Sequence, residues 1–407
     1  MHKIIIAPDS FKGSLSSSEV AAGIREGIED ALPGCETATV CISDGGDGMI
    51  SAVESCIKAE KVLITVTDPL GRAVKVAYLI TEKTAIIEMA QASGLTLVPP
   101  SERNPLKTST YGTGEMILDA FRRGCRHFII GLGGSATNDA GCGLMEALGC
   151  KFTDKAGNRI SGCNGGTMKA IAGIDTSGME RELLLECRFT AACDVEAVFT
   201  GPGGAAHVFA AQKGADEQII EELEKGMKSY EKVILKQFGI DLSEVKGSGA
   251  AGGLGGCLHA FFKAEMKKGS DLILDLAGFD SLIKDADLVI TGEGKIDSQT
   301  FMGKAPYEIA RRSAAQGIAT LAIGGLVKLC DSESKKSVFQ DILAIQPAPA
   351  TEEELVELMN PERAKTSIKR TISAYFAKKT LKKMQKTAKI FCRLKKMCHI
   401  CIRFKGV

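Results

Sequence analysis

Short apolar runs alternate with longer amphipathic stretches along most of the chain, and glycine, proline and aspartate mark the boundaries. Lys3-Ile4-Ile5-Ile6-Ala7-Pro8 is a continuous apolar run stopped by proline, which predicts a buried parallel strand. Ser14 to Glu19 then opens a helix through Ile28, with capping-box spacing at its start. The same strand–loop–helix order returns at Thr37 to Ile42, Asp44-Gly45-Gly46-Asp47-Gly48, and a helix from Met49 to about Lys58. Val62 to Ile80 predicts a hairpin around Pro69-Leu70-Gly71. Further along come a strand at Ala85 to Glu88, a helix at Met116 to Arg123 and a strand at His127 to Gly131. Gly133-Gly134-Ser135 then turns into a helix ending near Gly149. A helix at Leu258 to Lys267 follows, and strands at Leu288 to Ile290 and Thr320 to Ile323 flank a helix from Pro306 to Ala315.

This alternation predicts α/β architecture with parallel sheet and no fixed-period repeat. The expected organisation is a doubly wound domain from 1–75 and 285–375 interrupted by an inserted α/β domain, 76–284. The length of 407 residues suits two domains. No apolar run approaches the ~20 residues of a membrane helix, and the N-terminal run has no charged leader, so membrane and secretory classes are disfavoured. The 14 cysteines are scattered instead of forming a disulfide or zinc framework, which predicts reduced thiols and a cytoplasmic protein. Charge is asymmetric. No acid follows Glu362, and Arg363 to Lys405 holds 15 of the 51 Lys and Arg, leaving 36 bases against 50 acids, or −14, in the rest.

Several glycine-rich loops fall where open α/β sheets place ligands. Gly131 to Gly141 is the most informative. Gly133 and Gly134 allow close backbone approach to a phosphate, Ser135, Thr137 and Asn138 add neutral donors, and Asp139 is a candidate metal ligand or proton acceptor. The bland alternative is a tight turn with polar caps. Asp44 and Asp47 offer oxygen ligands to Mg²⁺ or merely cap a helix. Thr291-Gly292-Glu293-Gly294-Lys295-Ile296-Asp297 reads as a loop directly after a strand. There a cation and two carboxylates fit phosphoryl transfer, against the alternative of a charged surface turn. Asp9, Ser10, Lys12 and Ser14 form an anion clamp at the end of the first strand. Asp194 is a strand-end carboxylate, either a base, a metal ligand or a turn former. Gly247-x-Gly249-x-x-Gly252 matches a dinucleotide fingerprint as a string, but no credible strand precedes it; a standard P-loop and the protein-kinase signatures are missing.

Taken together, Ile6 to Ser16, Ser43 to Gly48, Tyr111-Gly112-Thr113-Gly114-Glu115, Gly131 to Asp139, Gln212-Lys213-Gly214-Ala215, Gly249 to Gly253 and Thr291 to Ser298 go further. In this order the chain strongly resembles the bacterial type-1 glycerate kinases over about residues 3–350. The resemblance implies an ATP- and Mg²⁺-dependent kinase that phosphorylates D-glycerate at the 2-hydroxyl, with the 3-hydroxyl as the lesser alternative. It implies two α/β domains, one Rossmann- or flavodoxin-like, with the active site in the cleft between them. On this reading Lys12 with Ser10 and Ser14 holds a carboxylate or phosphate, the Gly133-Gly134-Ser135 loop holds nucleotide phosphates, and Asp44, Asp47 or Asp139 meets the metal. Lys295 neutralises the transferring group, Asp194 or Asp297 accepts the hydroxyl proton, and Gly292 and Glu293 complete the binding set. A kinase for a related small hydroxy acid, or a glycerate-binding sensor without turnover, are the competing functions. A nucleic-acid partner is disfavoured and a homodimer is left open.

The chain departs from the family's pattern at Glu196-Ala197-Val198, at Ala210-Ala211 and at Leu326 to Leu329. The basic stretch 378–407, with Cys392, Cys398 and Cys401, departs most, and a frameshifted or read-through terminus is the leading expectation for it. A membrane-surface or nucleic-acid-binding amphipathic segment is the alternative.

Overall fold

The computed structural model describes residues 1–11, 13–42, 48–329, 338–346, 351, 354, 356–357 and 359–381. The chain forms two compact units, one of 1–41 with 279–407 and one of 42–278. The division differs from the predicted 75/76 and 284/285. The strand Glu60–Thr67 pairs with Ala73–Thr81, which pairs with Thr84–Glu88, so the hairpin belongs to the sheet of the second unit. Long-range pairing sets that boundary, and the local pattern of the hairpin does not reveal it.

In the first unit five strands lie in the order Asp341–Ala344, Thr320–Val327, Leu288–Ile296, Lys3–Pro8, Glu36–Thr39, all parallel. Counted along this unit the order is 2-1-3-4-5, with the reversal between Lys3–Pro8 and Leu288–Ile296. Helices cover both faces, as a sheet with two apolar faces demands. Ile4, Ile6, Leu288, Ile290, Leu321 and Ile323 pack against the helices Ser17–Ala31 and 361–381. On the other side Ile296 and Ala322 meet Ala310 of the helix Ala305–Ala315.

The helix Ser17–Ala31 starts on a complete capping box, with Ser16 and Glu19 each accepting from the other's amide. Its Gly27 lets the helix 361–381 come close, since a Cβ there would stand 2.7 Å from the Lys369 carbonyl oxygen. Lys365 and Lys369 of that helix pair with Glu26 and Asp30. Part of the basic C-terminal region is therefore bound into this unit. Residues 382–407 of the basic stretch lie entirely outside the described residues.

The second unit has a six-stranded sheet in the order Glu265–Lys267, Arg188–Ala192, His127–Gly131, Thr84–Glu88, Ala73–Thr81, Glu60–Thr67. Its first four strands are parallel and the hairpin antiparallel. A small sheet of Arg159–Ile160, Lys151–Thr153 and Gly173–Asp175 and the long helix Glu217–Phe238 complete it. The predicted helix over 258–267 instead covers Ala250–Phe262, and Glu265–Lys267 is a strand. No helix among the described residues is long and apolar enough to cross a membrane.

Candidate functional site

Open parallel sheets bind ligands beyond the carboxyl ends of their strands, where the strand order reverses. In the first unit that point brings the end of Lys3–Pro8 beside Gly292: Pro8 is in register with Gly292, and the Asp9 amide donates to the Gly292 carbonyl oxygen at 2.9 Å. The Ser10 amide donates to Asp9 Oδ1 at 2.6 Å. Paired hydrogen bonds between Phe11 and Leu15 close a tight turn over Gly13, which takes the left-handed φ of 79°. Ser14 Oγ, on this turn, is buried with no partner among the described residues. Lys12 lies outside the described residues.

The segment Thr291 to Asp297 is not a loop. The strand continues through Ile296, pairing Glu293 with Gly324 and Lys295 with Leu326. Its carboxylates have divergent environments. Asp297 caps the short helix Ser298–Met302 and pairs with Lys295 at 2.7 Å. The hydrogen bond from Lys295 holds its carboxyl below the ordinary value, which weakens it as a proton acceptor. Glu293 is buried beside it. Thr300 Oγ1 donates to its Oε1 at 2.6 Å and Lys304 Nζ stands 3.5 Å from Oε2. Burial pushes the Glu293 carboxyl up, despite these donors.

In the second unit Glu88, Gly131, Ala192 and Lys267 are in register at the carboxyl ends of four parallel strands. Beyond Gly131 the chain does not turn directly into a helix, as the pattern predicts; the helix begins only at Cys142. The intervening loop is stapled on one side, with Leu95 N donating to the Gly134 carbonyl oxygen at 2.8 Å and Ala136 N to that of Ser93 at 2.9 Å. On the other side Lys213 Nζ donates to Ser135 Oγ at 2.8 Å and to the Thr137 carbonyl oxygen at 2.6 Å. Thr137 and Asn138 are fully buried, and Thr137 Oγ1 and Asn138 Oδ1 have no hydrogen-bond partner among the described residues.

Asp139 does not fit the metal role. Its carboxylate is sealed from solvent and already accepts from Thr110 N, Thr110 Oγ1, Gly141 N and Gly143 N. Those donors brace the loop against the start of the helix Tyr111–Arg122. Asp194, at the end of Arg188–Ala192, accepts from the Gly269 amide at 2.8 Å and so caps the helix Gly269–Leu276. Asp44 and Asp47 lie outside the described residues.

Two residues escaped the sequence reading of the site. Glu88 accepts from Gly48 N and Ile50 N, each at 3.2 Å, and anchors the start of the helix Met49–Cys56. Its only signal is a carboxylate ending the apolar run Ala85 to Ile87. Lys213 stands in the quoted Gln212–Ala215 motif without an assigned part, because a lysine in an Ala- and Gly-rich stretch reads as exposed.

Each unit by itself offers donors suited to an anion: in the first the hydroxyls of Ser10 and Ser14 and the cations Lys295 and Lys304, in the second the Ser135 hydroxyl and loop amides. No group of three or more His, Cys, Asp or Glu among the described residues is placed to hold a metal. Mg²⁺ in phosphoryl transfer is held largely by substrate phosphates and water, so no described side chain is assigned to it.

Fold and loops together define an α/β protein with glycine-rich loops at its strand ends. The family follows from comparison with known proteins: the model of the glycerate kinase family matches residues 4–377, and the chain belongs to that family. It is 42% identical over 354 residues to a glycerate kinase of Bacillus cereus, covering 86% of this chain and 92% of that one. It is 43% identical over 325 residues to the glycerate 2-kinase of Escherichia coli, covering 79% and 85%. A crystal structure from Salmonella typhimurium carried under the name glycerate kinase 2 superposes with a TM-score of 0.81 at 37% identity, covering 95% of this chain and 99% of that one.

Proposed function

We propose that this protein is a glycerate kinase that transfers a phosphoryl group from MgATP to the 2-hydroxyl of D-glycerate. The observation that carries the reading is its 43% identity to a glycerate 2-kinase across 85% of that protein's length. The 2-1-3-4-5 strand order supports a flavodoxin-like first unit, and the free thiols of the described cysteines support a reducing, cytoplasmic setting.

Bound MgATP supplies the electrophilic phosphoryl group. Gly133, Gly134 and Ser135 hold anionic oxygens of the nucleotide, while Ser10, Ser14 and Lys12 hold a substrate carboxylate or phosphate. Lys295 neutralises charge on the transferring group. Among the described carboxylates Glu293, raised by burial, is better poised than Asp297 to take the hydroxyl proton, with Asp194 the alternative. A loose transition state makes such positioning matter more than base strength.

The test is ADP release from MgATP with D-glycerate, L-glycerate, tartronate or no acceptor, in the wild type and Lys295→Met. D-glycerate is expected to stimulate release strongly. Lys295→Met is expected to lose at least about a hundredfold in kcat, as charge stabilisation in transfer requires. Its melting temperature should move little, since the lysine is half exposed and a solvent-screened pair contributes about 1 kcal/mol or less. Release that no acid stimulates would refute the reading; full turnover by Lys295→Met would remove that residue from it.

A further inference from the structure

Lys213 ends the short turn Ala211–Lys213, and Gly214 follows with a left-handed φ of 93°. A Cβ at Gly214 would stand 2.4 Å from the Arg103 carbonyl oxygen, so the turn is pinned. From there the lysine side chain runs inward and is only 2% exposed. Burying an ammonium costs several kcal/mol, and a methionine would fill the same space without that cost. Its partners are two neutral oxygens, Ser135 Oγ and the Thr137 carbonyl oxygen. Among the described residues Asp139 is the one charged group whose field acts on it.

A protonated lysine has three donors and no acceptor. Ser135 Oγ must therefore accept from Nζ, and its own hydrogen has to point elsewhere. Among the described residues no acceptor takes that hydrogen. Ser135 is also the one residue of the polar run Ser135, Thr137, Asn138, Asp139 that retains some exposure, 9% against 0% for the other three. We infer that Lys213 is a positioning residue that fixes the Ser135 hydroxyl as a hydrogen-bond donor to a substrate oxyanion, a nucleotide phosphate or the acceptor's carboxylate. This deepens the proposed reaction and rests on it for the identity of the substrates.

The arrangement has a pH consequence. Burial pushes Lys213 down to about 7, against the opposing pull of Asp139. Below that pH the ammonium donates to Ser135 and the hydroxyl is offered outward. Above it the neutral amine has a lone pair that accepts the Ser135 hydrogen, and the hydroxyl turns inward.

The experiment is steady-state kinetics of the full chain with MgATP and D-glycerate from pH 6 to 9, for wild type, Ser135→Ala, Lys213→Met and the double variant. One Michaelis constant of the wild type is expected to rise about tenfold across this range and level off, the scale of one hydrogen bond to a charged group. The other constant should stay flat, so the KM for ATP or for D-glycerate names the oxyanion. Ser135→Ala should raise that same KM about tenfold at pH 6 and flatten its pH profile, and Lys213→Met should add nothing further in the double variant. Additive effects, a pH rise that persists in Ser135→Ala, or a loss confined to kcat and melting would overturn the inference. If Lys213→Met does not fold, the Ser135→Ala profile decides alone. If the wild type does not turn over, calorimetric titration with MgADP and with D-glycerate over the same pH range reads Kd instead, which separates a failed reaction from a failed site.

Discussion

Gly252→Ala is expected to cost ~2–5 kcal/mol of stability and to abolish measurable turnover, because the new methyl would collide with the loop that follows Gly131. Gly252 takes φ 66° in a run of three left-handed residues with Ala251 and Gly253. Its added Cβ would stand 2.1 Å from the Thr137 carbonyl oxygen and 2.5 Å from Asn138 Cα. That oxygen is the acceptor of Lys213 Nζ, so any shift of the backbone there is passed to Ser135. Left-handed backbone costs an alanine about 1–2 kcal/mol, and overpacking adds about 1–3. Gly157→Ala is the control. Gly157 also has positive φ, 84°, but its Cβ would meet nothing within 4 Å. Urea unfolding of both variants separates the terms: Gly157→Ala should show the backbone cost alone and keep full activity. Equal losses in the two variants would show that the close approach of Gly252 to Thr137 is not tight in solution.

The second large effect is on stability against pH. Lys213 is pushed down to about 7 in the folded protein from 10.5 when exposed. Between those values the unfolded chain binds the extra proton, so stability falls as pH drops from above 10 to 7. At about 1.4 kcal/mol per unit, the ceiling is ~5 kcal/mol. Buried thiols act oppositely: burial raises Cys142 and Cys257, and the stability they contribute is lost as pH rises above about 9. The difference between wild type and Lys213→Met isolates the lysine. Lys213→Met removes the hydrogen bonds of Nζ with Ser135 Oγ and the Thr137 carbonyl oxygen at every pH, whichever of Nζ and Oγ is the donor, a roughly constant penalty of ~1–3 kcal/mol per orphaned group. Wild type is therefore expected to gain several kcal/mol on the variant between pH 6.5 and 9, read by chemical unfolding at fixed temperature. A difference independent of pH would mean that Lys213 keeps an ordinary proton affinity.

Strands such as Lys3–Pro8 and His127–Gly131 were legible because β-branched and apolar residues run to a clear stop. The second half of Leu288–Ile296 was not, since Gly292-Glu293-Gly294-Lys295 carries no apolar signal. Its strand character comes from pairing with Gly324 to Val327, and glycines permit that approach: a Cβ at Gly325 would lie 2.5 Å from the Gly294 carbonyl oxygen. The helix Ala250–Phe262 was only half legible for a related reason. It is apolar almost all round and glycine-rich, a composition that burial explains and periodicity does not. The candidate site followed the same rule. Ser10, Ser14 and Ser135 stand on turns whose glycines announce them. The part of Asp139 is set by Thr110, 29 positions earlier, and the orientation of Ser135 by Lys213, 78 positions later. Contacts over such separations leave no mark on local pattern.

The most direct test of the central claim is phosphorus NMR of the reaction of the full chain with MgATP and each acceptor. The account predicts 2-phosphoglycerate together with ADP, with D-glycerate and not without it. Loss of ATP without any phosphorylated acid, or transfer to none of D-glycerate, L-glycerate and tartronate, would contradict it.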